Sequence, residues 1–122
     1  MKVLVVDDSA VMRKLVTRSI RQAGFTDADV IEAEDGADAV NVARSELPDV
    51  ILADWNMPNM TGIEMLRALR AEGDTVRVGF VTSETSSDIR EMATEAGASF
   101  FLSKPIDTDR LEDALGAVAS RR

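Results

Sequence analysis

The sequence predicts an α/β protein built on a doubly wound, five-stranded parallel sheet, and three observations carry that expectation. Short unbroken apolar runs of strand length alternate with stretches whose apolar residues recur at helical spacing. The two kinds of segment follow one another strictly, at ~20 to 25-residue intervals, which favours right-handed crossovers and parallel pairing. Glycines stand where the helical stretches run out.

The first strand is Val3-Leu4-Val5-Val6, apolar throughout as a parallel strand covered on both faces must be. Met12, Leu15, Val16, Ile20 and Ala23 then form one buried helix stripe, closed by Gly24. Val30-Ile31 is a weaker second strand, and Ala37 to Ala43 a weaker helix around Val40. The third strand is Val50-Ile51-Leu52-Ala53. Thr61-Gly62-Ile63-Glu64 reads as a capping box opening a helix that carries Ile63, Leu66 and Leu69 and ends near Gly73. Val78-Gly79-Phe80-Val81 is the fourth strand; its helix buries Ile89, Met92, Ala93 and Ala96 and stops at Gly97. Phe100-Phe101-Leu102 is a short fifth strand, and Leu111, Ala114, Leu115 and Val118 mark the last helix. Five strands alternating with five helices imply the order 2-1-3-4-5, a flavodoxin-like three-layer sandwich. Ligands of such sheets bind beyond the carboxyl ends of the strands, between the first and the third, where the strand order reverses. Pro48, Pro58 and Pro105 fall at element junctions, and no repeat or linker divides the chain. One domain over residues 1–122 is expected.

Composition narrows the chemistry. The 14 Lys and Arg against 22 Asp and Glu leave a net charge of −8, which repels nucleic-acid phosphates and anionic lipid alike. No nucleic-acid or membrane partner is therefore expected. No apolar run approaches the ~20 residues of a membrane span, and the opening Met1-Lys2-Val3-Leu4-Val5-Val6 is too short for a signal peptide, so a cytoplasmic location is expected. The chain has no Cys and no His, which excludes thiol chemistry, zinc sites of the usual kind and a Ser-His-Asp triad. Chemistry must run on carboxylates, Lys, Ser, Thr, backbone groups and a bound metal.

The rim predicted by the topology is polar. The first strand ends in Asp7-Asp8, the third in Asp54, the fourth in Thr82-Ser83 and the fifth in Ser103-Lys104-Pro105. Any one of these residues taken alone is a helix cap, a strand-end hydroxyl or a solvated lysine. Together, three carboxylates on neighbouring strands repel one another by several kcal/mol at an effective dielectric of about 20, more than helix capping calls for. Hard oxygen ligands without His or Cys fit Mg²⁺, which keeps several waters and takes further oxygens from a phosphate. With Lys104 as a point charge and Thr82 as a hydroxyl donor, the rim suits phosphoryl transfer to a carboxylate, giving an acyl phosphate.

Asp7-Asp8, the segment Asp54-Trp55-Asn56-Met57-Pro58-Asn59-Met60-Thr61-Gly62, Val81-Thr82-Ser83-Glu84 and Lys104-Pro105 resemble the receiver domains of two-component response regulators, the stand-alone chemotaxis regulators in particular. The resemblance spans the whole chain. It implies that Asp54 is the phosphoacceptor, that Asp8 ligates Mg²⁺ directly and Asp7 mainly through water, and that Asp54 and the Asn56 backbone carbonyl complete the metal's protein ligands. It further implies that Lys104 and the Thr82 hydroxyl contact the phosphoryl oxygens, that small Ser83 leaves room for them, and that the Lys104-Pro105 peptide is cis. Phe101 stands at the family's switch aromatic, which turns inward as Thr82 moves toward the phosphate; the residue's own pattern, taken alone, favours ordinary core packing. Trp55 is expected to be an exposed indole without a mechanistic role.

The partners implied are a sensor histidine kinase or a His phosphotransfer protein upstream. Downstream, a monomer is expected to signal to a protein target through the fourth helix, fifth strand and fifth helix, as in chemotaxis. No enzyme activity is expected beyond the domain's own phosphorylation and dephosphorylation. On that output face Thr85-Ser86-Ser87-Asp88, Ser103, Ala114 and Ala117 depart from the lysines of motor-switch regulators. Arg122 as a natural end implies output by protein contact alone. An intermediate carrier in a phosphorelay is the alternative. A non-phosphorylated adaptor makes less use of the complete acidic set, and a small Mg²⁺-dependent phosphohydrolase of the dehalogenase type puts its nucleophile on the first strand. A flavodoxin is excluded because Asp7-Asp8 would repel the flavin phosphate.

Overall fold

A computed structural model of the chain describes residues 1–84 and 86–120; Thr85 and Arg122, both cited above, lie outside the described residues. The elements alternate throughout: β1 Lys2–Val6, α1 Ala10–Gln22, β2 Asp29–Ala33, α2 Gly36–Glu46, β3 Val50–Ala53, α3 Gly62–Ala71, β4 Arg77–Thr82, α4 Ser87–Glu95, β5 Phe100–Ser103 and α5 Thr108–Ser120. The sheet runs β2-β1-β3-β4-β5 with every pair parallel, the order the alternation predicts.

Because successive side chains of a strand point to opposite faces, each apolar run feeds two cores. Leu4, Val6, Ile51, Ala53, Val78 and Phe80 face one layer, where Val40, Met65, Leu66 and Leu69 of α2 and α3 cover them. Val3, Val5, Val50, Leu52 and Val81 face the other, against Val16 and Ile20 of α1 and Leu111, Leu115 and Val118 of α5. Burial on both faces is what requires Val3 to Val6 of β1 and the whole of β3 to be apolar. No described helix is long and apolar enough to cross a membrane.

The helix boundaries follow local chemistry. Ser9, Asp35, Thr61 and Ser86 each accept a backbone N–H two or three residues into the helix they open, and Thr61 with Glu64 completes the capping box. Gly24, Gly73 and Gly97 close α1, α3 and α4 with φ of 102°, 81° and 100°. α2 has no glycine there, and Leu47 itself takes the left-handed region at φ 48°.

Two expected core residues are at the surface. Leu15 is 45% exposed and Met92 40%. In α1 only Val16 and Ile20 are buried, and in α4 only Ala93. Both stripes are narrower than the periodicity implies because each helix is covered along one side only; α4 rests on the sheet edge at β5.

Candidate functional site

The sheet register brings the acidic residues to one level. Val6 pairs with Ala53 across β1 and β3, so Asp7 and Asp54 are the next residues on adjacent strands. Their amides are pinned by the ladder: Asp54 N–H donates to the Val6 carbonyl at 3.0 Å and Asp7 N–H to that of Ala33 at 3.3 Å. Asp7 is buried, Asp54 partly buried and Asp8 exposed, and one carboxylate oxygen of each lies within 4.8 Å of the others. Lys104 arrives from the far side. Thr82 pairs with Ser103, and the Lys104 amide continues the ladder to the Thr82 carbonyl at 2.9 Å. Its Nζ then lies 3.2 Å from Asp7 Oδ2 and 3.5 Å from Asp54 Oδ2. The Lys104-Pro105 peptide is cis.

The remaining oxygens are also held. Asp7 Oδ1 accepts the Ser9 amide at 2.9 Å, and Asp54 Oδ1 accepts the Trp55 amide at 2.8 Å. The buried Thr82 hydroxyl accepts the Glu84 amide at 3.2 Å, which leaves its own proton available for an acceptor. The donor set is three hard carboxylates and no nitrogen or sulfur, which fits Mg²⁺. Asn56 is exposed at the mouth, where its side-chain amide donates to Glu84 Oε1 at 3.1 Å. Phe101 is half-buried on β5, its ring 6.5 Å from that of Phe80, with the Arg90 guanidinium 5.0 Å above it.

Trp55 corrects the sequence reading. It is 8% exposed, and its indole meets Phe80 edge to face at 5.1 Å. The chain turns back at once after β3, with Gly62 N–H donating to the Trp55 carbonyl at 2.9 Å, and that turn folds the ring inward. Gly62 permits the turn: a Cβ there would lie 2.6 Å from Phe80 Cε1 and 2.7 Å from the Asp54 carbonyl oxygen. Sequence reasoning missed three polar links around the rim. They are Asn56 to Glu84, Asn59 Nδ2 to Asp35 Oδ2 at 2.8 Å, and Arg13, whose Nη1 donates to the Asp7 carbonyl. The first two cross between loops and leave no periodic signal; Arg13 reads as an ordinary residue of a polar helix face.

A parallel α/β sheet of order 2-1-3-4-5 with its polar cluster beyond the carboxyl ends of the strands defines a doubly wound domain whose ligand site lies on that rim. Residues 3–116 match the response regulator receiver domain family, and the chain belongs to it. It is 37% identical to the chemotaxis protein CheY of Pseudomonas aeruginosa over 123 residues, covering 99% of this chain and 98% of that protein. It is 35% identical to the sensor histidine kinase RcsC of Salmonella typhi over 121 residues, 99% of this chain but 12% of the kinase. The structure of the Vibrio cholerae chemotaxis protein CheY4 superposes with a TM-score of 0.83 at 35% identity, covering 96% of this chain and 97% of that one. The family is one of signalling domains.

Proposed function

We propose that residues 1–122 act as a single receiver domain in which Asp54 accepts a phosphoryl group from a phosphohistidine. The donor is a sensor histidine kinase or a His phosphotransfer protein. The observation that carries this reading is the meeting of Asp54 with Asp7, Asp8 and Lys104 on one rim. One carboxylate oxygen of Asp54 attacks phosphorus in line with the leaving imidazole nitrogen; the P–N bond breaks as the P–O bond forms, leaving an acyl phosphate. Asp8, Asp54 and the Asn56 carbonyl would hold Mg²⁺ directly and Asp7 mainly through water, and the ion when bound would neutralise charge on the phosphoryl oxygens. Lys104 exchanges its carboxylate contacts for a phosphoryl oxygen, and Thr82 donates its available hydroxyl proton to another.

That donation draws Thr82 toward the rim and gives Phe101 room to turn, so the surface of α4, β5 and α5 changes and a protein partner reads it. The near full-length likeness to two chemotaxis proteins favours chemotaxis as the process and the cytoplasm as the location. The kinase that carries a similar domain favours a phosphorelay carrier as the second reading. Incubation with acetyl phosphate and Mg²⁺, followed by intact mass measurement, tests the acceptor. One phosphoryl mass is expected in the wild type, and none after Asp54→Asn or with EDTA. Full labelling of Asp54→Asn would sink the assignment.

A further inference from the structure

Arg13 lies near the start of α1, where a long cationic side chain ordinarily stays in solvent. Here the side chain is only 12% exposed. Its Nη1 donates to the Asp7 backbone carbonyl at 2.6 Å, and its Nε to Glu32 Oε1 on β2 at 2.8 Å. The guanidinium thus ties three elements together at the rim. The carbonyl it holds belongs to the peptide plane that joins Asp7 to Asp8, and a peptide plane is rigid. One short bond to that oxygen therefore fixes how the chain leaves Asp7 and also the N–Cα bond from which Asp8 projects. Asp8 has most need of this. The Asp7 carboxylate is steadied by the Ser9 amide and Lys104, whereas Asp8 is exposed and no described hydrogen bond or ion pair holds its side chain.

We infer, resting on the magnesium reading above, that Arg13 is a positioning residue for the metal site: it clamps the Asp7–Asp8 peptide, anchored in turn by Glu32, so that Asp8 is preset for a divalent cation. A purely electrostatic role predicts the opposite sign. A guanidinium beside a cation site repels the cation, so its removal would tighten binding if charge were all it supplied. Removing a clamp loosens binding, as loss of an outer partner of a metal ligand generally does. Lysine separates the two roles as well, because it keeps the charge but its single nitrogen cannot span both acceptors with Arg13's planar fork.

The test titrates Mg²⁺ alone into wild-type protein, Arg13→Ala and Arg13→Lys, following the fluorescence of Trp55, the one tryptophan, which adjoins Asp54. Both variants are expected to raise the Mg²⁺ dissociation constant about tenfold. Unchanged or tighter Mg²⁺ binding in Arg13→Ala overturns the inference, as does wild-type affinity in Arg13→Lys. Should Arg13→Ala fail to fold, Glu32→Ala, a change at an exposed partner, removes the anchor and keeps the guanidinium, with Glu34→Ala, which deletes the same charge at an exposed neighbour, as the electrostatic control. Glu32→Ala is expected to weaken binding about threefold, and no change would equally overturn the clamp. A wild-type protein that binds no Mg²⁺ sinks the metal reading itself; wild-type binding matched by the variants sinks only the role of Arg13.

Discussion

Lys104→Met removes the ammonium from the acidic rim while keeping most of the aliphatic stem. At 3.2 Å and 3.5 Å, Nζ attracts Asp7 and Asp54 by about 5 kcal/mol each at an effective dielectric of about 20, before desolvation is subtracted. The side chains of Lys104, Asp7 and Asp54 are 18%, 5% and 15% exposed, so the site is sheltered but open to water on one side. Breaking a fully buried pair costs about 3 to 5 kcal/mol, and the open side brings the expected loss here to about 2 kcal/mol in EDTA. Mg²⁺ should recover much of it. At a hundredfold excess over its dissociation constant the ion stabilises wild type by about 2.7 kcal/mol, and a site freed of a competing ammonium should bind it about tenfold more tightly, raising that to about 4.1 kcal/mol. The deficit of the variant should therefore shrink from about 2 to about 0.6 kcal/mol between EDTA and that Mg²⁺ concentration. Urea unfolding followed by circular dichroism under both conditions measures it. An equal deficit with and without Mg²⁺ would refute the idea that Lys104 and the cation neutralise the same carboxylates.

Asp8→Asn should raise the melting temperature of the metal-free protein slightly, by relief worth about 0.5 to 1 kcal/mol, and should abolish the Mg²⁺-induced shift; calorimetry in EDTA and in Mg²⁺ reads both. Gly62→Ala drives a Cβ into the Asp54 carbonyl, which cannot yield, and should cost about 1 to 3 kcal/mol in urea unfolding. Gly116→Ala on α5, with nothing within 4 Å of its added methyl, should instead stabilise by about 0.5 to 1 kcal/mol, and a loss comparable to Gly62→Ala would contradict the packing described. Acid should weaken the fold through two helix caps. Asp35 is held below its ordinary 3.8 by the Asp38 amide and Asn59, and Glu64 below 4.5 by the Thr61 amide and hydroxyl. Carboxyls depressed in the folded state add stability above their ordinary values and lose it as pH falls through the folded ones. Urea midpoints should therefore fall as pH drops below about 4.5, and less steeply in Asp35→Asn with Glu64→Gln; an unchanged slope would remove these caps from the acid response.

The sheet was legible because its signal is local. Val3 to Val6 and Val50 to Ala53 are apolar at every position, which only a strand buried on both faces tolerates, and alternation then fixes parallel pairing. The acidic rim was legible for the same reason, since the topology sends the carboxyl end of every strand to one edge. Leu15 and Met92 went astray because periodicity reports which face of a helix is apolar, while neighbouring helices decide how much of it they cover. Trp55 went astray because its burial depends on a turn closed by Gly62, whose role is visible only once Phe80 and the Asp54 carbonyl stand beside it. Arg13 has the composition of a solvated residue; its partners are a backbone carbonyl, which no sequence pattern announces, and a glutamate on β2.

The contact between Lys104 and Asp7 joins residues 97 positions apart. During synthesis Asp7, Asp8 and Asp54 all emerge long before the lysine that balances them, so a growing chain carries the crowded carboxylates without their counter-charge. Closing so long a loop is entropically costly and kinetically late, and it completes only when β5 docks on β4. The rim is thus assembled from the first strand and the last, and a chain stopped short of β5 holds Asp54 without the ammonium beside it. On the proposed reading of Asp54, readiness to receive a phosphoryl group would report that the chain has been made and folded as far as β5.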